Sequence, residues 1–488
     1  MPHLVIVIWF MAAQSVNALL ASEIDLPDLG DSAGSVISPE QEKRIAKSFL
    51  RELHRQAPLE DDEEIVDYLN NLGDSLAANA DYDGEFEICL IRSKAINAFA
   101  VPGGLVCFNS GLILESKTEA ELASVMAHEI SHVTQRHGAR MIEAASKLNI
   151  PTVAALVGSI ALAAANPQAG YAAIMATQAA AVQYQINFTR ANEREADALG
   201  INLLSKSGFD PNGMPNFFGR MMKASRYSDP KLVPEYLRTH PLSVNRIAEA
   251  RSRAESMVKT VNREQNFKYS LVWAKLKVFS EPDPLTAIHF FEDRINDRDA
   301  SESLAARYGR AVAYRAVEDF SAARKEIGIL VEQYTTELSF LIEAAAIEKQ
   351  AGNYRQAYFY YTKAYKENPN YRAGVYGLVE SSLILKKRKI AKKILEDYKF
   401  SGKIDSRFYK LSAETLSSLG MQVASKMSLA EHYAELGEIA LAAEQLRLAR
   451  SDPIATNYQR LKIIARLEEF DKELIDRQKS KIGRSPRR

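Results

Sequence analysis

Between residues 118 and 145 apolar side chains recur at helical spacing. Leu122, Val125, Met126, Ile130 and Val133 carry the pattern, and no proline interrupts it. Residues three and four apart share one face of a helix, so the spacing predicts a single helix over 118–145. Just upstream, Phe86–Ile91 and Leu105–Phe108 read as strands, and Gly103-Gly104 marks a tight turn before the second. Three other apolar runs stand out: Leu4–Ala13, Thr152–Ala165 and Ala169–Ala176. Each falls short of the roughly 20 residues that a spanning helix needs. The pair within 152–186 reads either as buried small-residue helices or as a hairpin that lies on a membrane or lids a site.

Beyond about residue 268 the pattern changes. Ala323, Ala357 and Ala391 are 34 residues apart, and Phe320 and Tyr354 repeat with them. A 34-residue period marks helix–turn–helix units that stack side by side and offer a concave protein-binding surface. Small Ala at the repeated position lets paired helices approach. The run Gly352-Asn353-Tyr354-Arg355-Gln356-Ala357 resembles the heart of a tetratricopeptide repeat, and Asn368-Pro369-Asn370 sits where such repeats end. Gly437–Ala442 reads as a further copy displaced by an insertion. Tyr358, Tyr360, Tyr361 and Tyr365 crowd one helix, to be shared between core and groove. The other reading of this half is an unspecialised helical bundle.

Composition bounds these expectations. The chain has 488 residues, room for two or three domains, with 62 basic residues balancing 62 acidic ones. Nothing in that balance suggests a nucleic-acid partner. Leu4–Ala13 followed by Val16-Asn17-Ala18 has the form of a secretory signal peptide cut after Ala18, with Ala21 as the other site and an uncleaved anchor as the other reading. An exported chain meets an oxidising compartment, where Cys89 and Cys107 can pair; sequence alone leaves the pairing open. The expected division is a signal peptide (1–18), a first domain (22–265), a repeat domain (266–475) and a basic tail (476–488) carrying Arg477, Lys479, Lys481, Arg484, Arg487 and Arg488.

The chemistry lies on the predicted helix. His128-Glu129-Ile130-Ser131-His132 has the form H-E-x-x-H. Two imidazoles one turn apart can share a tetrahedral Zn²⁺, and the intervening Glu can deprotonate a water that the metal activates. A catalytic zinc needs a third protein ligand. Downstream, Glu193 and Asp197 are four apart; on a helix they share a face while Glu195 points away. Glu193 then completes the ligand set, and Asp197 accepts the N–H of a ligand imidazole. His137, five residues past His132, is off the ligand face and is not assigned to zinc.

H-E-x-x-H with a downstream E-x-x-x-D resembles the M48 peptidases, a gluzincin family. The resemblance implies an α+β gluzincin-type metallopeptidase domain, mostly helical with a small sheet, followed by the all-α tetratricopeptide-repeat solenoid. It implies one Zn²⁺ on His128, His132 and Glu193, Glu129 as general base, and Asp197 as a supporting group that is sometimes described as a proton donor. Thr239-His240-Pro241-Leu242 with Arg246 also resembles envelope members of the family. His240 there either stabilises the oxyanion or fills the open zinc position; the resemblance implies the second, a regulatory cap. Arg246 is either a substrate clamp or part of a structural salt bridge. Asn97-Ala98-Phe99-Ala100 matches the edge strand that pairs with extended substrate in gluzincins. For the whole chain the resemblance implies a periplasmic zinc endopeptidase. The resemblance further implies that it degrades misfolded or stalled outer-membrane proteins and helps their assembly, docked on the barrel-assembly machinery through its repeats; the hairpin reading of 152–186 would add peripheral membrane contact. The alternative is a chaperone or adaptor of that machinery with a mostly silent protease site.

Overall fold

The computed structural model describes residues 37–141, 189–226, 234–257, 267–295, 300–400 and 404–482. The signal-peptide pattern and the 152–186 segment lie outside them. Ser38 opens helix α1 (Pro39–Gln56) with a reciprocal capping box to Gln41, and Asp62 caps α2 (Glu63–Ala77). Both caps satisfy amides that the first helical turn leaves unpaired. Three strands follow: β1 (Glu87–Ile91), β2 (Ala98–Val101) and β3 (Leu105–Asn109). Their order is β1-β3-β2, with β1 parallel and β2 antiparallel to β3. Gly103 and Gly104 turn between β2 and β3 at φ 99° and 94°, where a side chain is strained. A Cβ on Gly103 would also meet the Glu42 carbonyl oxygen at 2.3 Å. The turn leaves β2 as an edge of the sheet. Cys89 and Cys107 face each other across β1 and β3 and form a disulfide.

Helix α3 (Ser110–Glu115) leads into α4 (Glu119–Thr134), capped by Thr118. Nearly all of α4 is buried, with Leu122, Met126 and Ile130 in one core with Ile65, Leu69, Phe108 and Phe217. Each such side chain contributes about 1.5–3 kcal/mol on burial. The helix predicted to 145 stops at Thr134. Arg136 takes φ 51°, its guanidinium fixed by Glu42 at 2.9 and 3.0 Å and by the Ile37 carbonyl at 2.7 Å. A fresh helical stretch starts at 137. Next come α5 (189–206), α6 (Gly213–Arg226), α7 (Glu235–Thr239) and α8 (Val244–Ser256).

The remaining described elements are all helical. They are α9 (Phe267–Ser280), α10 (Pro284–Glu292), α11 (Ala300–Ala316), α12 (Phe320–Gln333), α13 (Leu338–Gln350), α14 (Tyr354–Glu367), α15 (Arg372–Ile384), α16 (Arg388–Tyr398), α17 (Ser406–Ser418), α18 (Gln422–Glu435), α19 (Ile439–Arg450) and α20 (Asn457–Ile482). Ala323, Ala357 and Ala391 occupy the fourth positions of α12, α14 and α16, and all three are fully buried where consecutive helices meet. The turns before these helices carry the same period. Glu318, Gly352, Lys386 and Gly420 all have positive φ and lie 34 residues apart. Gly437 follows seventeen residues later, half a period; its helix opens two residues on at Ile439 with buried Ala442 in the fourth position, so the run at 437–442 repeats the pattern out of register. Of the four tyrosines on α14, Tyr361 is buried and Tyr358, Tyr360 and Tyr365 are only partly covered. The segment predicted as a tail from 476 begins as helix, since α20 runs to Ile482.

Helix α9 joins the two halves. Tyr269, Val272 and Leu276 enter the first core, whereas Leu271, Ala274 and Val278 enter the core of the helical array. Buried Lys275 bridges Asp62 at 2.6 Å and Glu64 at 2.7 Å at the start of α2. Tyr371 donates to Glu64 at 2.8 Å, Arg372 pairs with Asp67 at 2.8 Å, and Arg407 pairs with Glu63. The array therefore closes back on α2. Among the described residues no helix is long and apolar enough to cross a membrane.

Candidate active site

Helix α4 presents His128, Glu129 and His132, and α5 packs against it with Glu193 and Asp197. Gly200 permits this approach, since a Cβ there would lie 3.2 Å from the His128 amide nitrogen. His128 Nε2 and His132 Nε2 are 3.0 Å apart, and each is 3.4 Å from a different oxygen of Glu193. His240, at the C-cap of α7, adds its Nδ1 at 3.1 Å from Glu193 and 3.3 Å from His128 Nε2. These four donor atoms all fall within 4.8 Å of one another. Its other nitrogen, Nε2, is 3.4 Å from Glu129 Oε1. Tyr236 stacks on the His240 ring at 4.7 Å, and the Tyr236 amide donates to the Ile96 carbonyl at 3.0 Å. The His240 turn is thus tied to the residue that leads into β2.

Behind the donors stand the supporting groups. His128 Nδ1 lies 3.1 Å from Asp197 Oδ1, an ion-pair distance without the alignment of a hydrogen bond. Arg246 holds Asp197 with both Nε (2.7 Å) and Nη2 (2.8 Å), and turns Nη1 to Glu193 at 3.0 Å and to the Pro241 carbonyl at 2.7 Å. This is the salt-bridge alternative for Arg246, with the guanidinium facing inward. On the strand side, Asn97 is buried with its Oδ1 unpartnered, and its carbonyl accepts from the Asn109 amide at 2.9 Å. Ala98, Phe99 and Ala100 lie on edge strand β2, and the Ala100 amide reaches the Glu129 carboxylate.

The family model described as Peptidase family M48 matches residues 65–254. The beta-barrel assembly-enhancing protease of Escherichia coli K12 is 35% identical over 461 residues, 94% of this chain and 93% of the relative. The protein of the same name from Yersinia pestis is 39% identical over 334 residues, 68% of each chain. The mitochondrial metalloendopeptidase OMA1 of Schizosaccharomyces pombe is 30% identical over 207 residues, 42% of this chain and 57% of that protein. The chain belongs to peptidase family M48. It is a metalloprotease.

The donor set of this M48 chain suits a metal ion on its own geometry. Zinc–nitrogen bonds of about 2.0–2.1 Å in a tetrahedron place neighbouring donors roughly 3.3–3.4 Å apart, and the separations among His128, His132 and Glu193, with those from His240 to His128 and Glu193, run from 3.0 to 3.4 Å. Electrostatics agree. Burial works against a charged His128, yet Asp197 and Glu193 outweigh it and hold its pKa up at about 10. Burial and the neighbouring His128 push His132 far down. Burial pushes Glu129 up, as a general base needs. The Glu193 and Asp197 carboxylates stabilise positive charge at this centre, and Arg246 already meets both of them.

Two residues at this M48 centre escape a reading by helical spacing. His137 is 4% exposed, and its Nδ1 sits 2.9 Å from His132 Nδ1. Glu195 does point away from the donors, but toward His137, with Oε2 at 3.1 Å from Nε2. The chain reversal at Arg136 causes both. On an unbroken helix His137 would project away from His132.

Proposed function

We propose that this chain is a zinc-dependent endopeptidase of the periplasm that degrades misfolded or stalled outer-membrane proteins and promotes their assembly. Its tetratricopeptide repeats, α11 to α20, would receive clients and the barrel-assembly machinery. The carrying observation is the convergence of His128, His132 and Glu193 beside Glu129 and an edge strand. The names of the relatives that span most of the chain, beta-barrel assembly-enhancing proteases, support the client class. The signal-peptide pattern of residues 1–18 supports the compartment.

His128, His132 and Glu193 would hold the zinc. When bound, zinc polarises water and the scissile carbonyl. A client segment laid along the free edge of β2 gains backbone hydrogen bonds that fix its register beside Glu129. Glu129 takes a proton from the attacking water and returns it to the leaving amine. Asp197, gripped by Arg246, fixes the His128 ring. His240 is the cap: its Nδ1 fills the fourth donor position and its Nε2 occupies Glu129. A client on β2 adjoins the Tyr236–Ile96 contact that anchors the cap, so displacing His240 would couple client binding to opening.

The test compares the parent chain with Glu129→Gln in cells lacking the gene, alongside cleavage of an unfolded barrel protein by purified chain with and without chelator. Zinc-dependent cleavage and failed rescue by the variant support the reading. Full rescue by Glu129→Gln favours the adaptor, for which the capped site is the specific observation.

A further inference from the structure

The two histidines of α4 are supported from behind in different ways. His128 turns Nδ1 to a carboxylate, Asp197. His132 turns Nδ1 to a second imidazole, His137, at 2.9 Å; His137 in turn faces Glu195 at 3.1 Å, and Arg140 Nη1 meets the same Glu195 oxygen at 3.1 Å. His137 is outside the donor set itself. Its ring centroid is 4.8 Å from that of His132 at an interplanar angle of 76°, and the 2.9 Å N···N contact is at hydrogen-bond distance.

The protons in this chain of contacts have one consistent arrangement. A His132 that offers the Nε2 lone pair to a metal is neutral and carries its proton on Nδ1. That proton points at His137 Nδ1, which must then be the acceptor. His137 therefore carries its own proton on Nε2 and donates it to Glu195. Each donor finds an acceptor and no two protons collide.

We propose that His137 and Glu195 are positioning residues for His132. They lock its tautomer and ring orientation and strengthen it as a metal donor, with the half-buried Arg140–Glu195 pair anchoring the far end. The proposal rests on the reading of His132 as a zinc ligand. It adds that this ligand is supported through a histidine and not directly by a carboxylate.

The test uses the full mature chain. Zinc affinity is measured by chelator competition, and the visible spectrum of the cobalt-substituted protein reports ligand geometry. His137→Ala is expected to weaken zinc binding about 10–100-fold and to change the cobalt bands. His137→Gln can accept from His132 through its amide oxygen and donate to Glu195 through its amide nitrogen, so it is expected to restore most of the affinity and the parent spectrum. Glu195→Gln, at the half-buried outer end, should weaken binding less while leaving the fold intact. Parent-like affinity and spectrum in His137→Ala overturn the proposal; if that variant does not fold, an unchanged spectrum and affinity in Glu195→Ala do so instead. Unimpaired zinc binding in His132→Ala overturns the ligand reading on which it rests, a separate result.

Discussion

His240 Nδ1 lies 3.1 Å from both carboxylate oxygens of Glu193. In the proposed reading that nitrogen, at the C-cap of α7, fills the fourth donor position, where water and substrate would need to be. The two roles open to His240 predict opposite signs. A cap in place nine-tenths of the time leaves one site in ten competent, so His240→Ala raises basal casein cleavage about tenfold. Loss of an oxyanion donor would instead lower kcat about 10²–10³-fold. Initial rates of parent and variant at equal zinc occupancy decide between them.

Glu129 is buried, its pKa is raised, and it lies between the Ala100 amide and His240. It is not one of the donors that converge for the metal. Glu129→Gln should therefore bind zinc at one ion per chain while peptide cleavage falls by at least about 10²–10⁴-fold. Metal analysis and casein cleavage on the same sample check this, and parent-level cleavage would remove Glu129 from the mechanism.

The centre was legible in the sequence where geometry is local. His128 and His132, and Glu193 and Asp197, sit four apart on single helices, so period alone assigns their faces. Strand β2 was legible from its flanking turn. What escaped depends on backbone that sequence does not announce. Arg136 takes a left-handed conformation without being glycine, held by Glu42 about ninety residues upstream, and that reversal returns His137 to His132. The repeat turns hid in the same way: Gly352 and Gly420 are visible, but Glu318 and Lys386 fill the equivalent positions with ordinary residues. The closure of the helical array on α2 rests on Lys275, Tyr371, Arg372 and Arg407, charged or polar groups whose partners lie hundreds of residues away.

The Cys89–Cys107 disulfide closes a loop with a sequence separation of 18 inside the sheet that carries β2. A loop of that size contributes about 3 kcal/mol by restricting the unfolded chain. The Cys89→Ala/Cys107→Ala variant should melt several degrees lower than the parent. Thiol titration of the denatured, unreduced protein should find no free thiol; two reactive thiols would contradict the bond.

Glu63 sits at the contact between α2 and the helical array, paired with Arg407. Burial pushes its pKa up to about 7, against the pull of Arg407. The folded state then keeps a proton that the unfolded chain, with a value near 4.5, has already released. A raised carboxyl pKa gives stability that is complete below about pH 4.5, declines as pH rises towards 7, and is gone above it. The whole effect is at most about 3 kcal/mol, from 1.36 kcal/mol per unit. Melting temperature should therefore fall between pH 5 and 7.5 more steeply for the parent than for Glu63→Gln, measured at constant ionic strength with zinc in excess. Because the histidines of the metal site titrate equally in both proteins, the difference in slope isolates Glu63; identical slopes would mean that its proton plays no part in holding the array against α2.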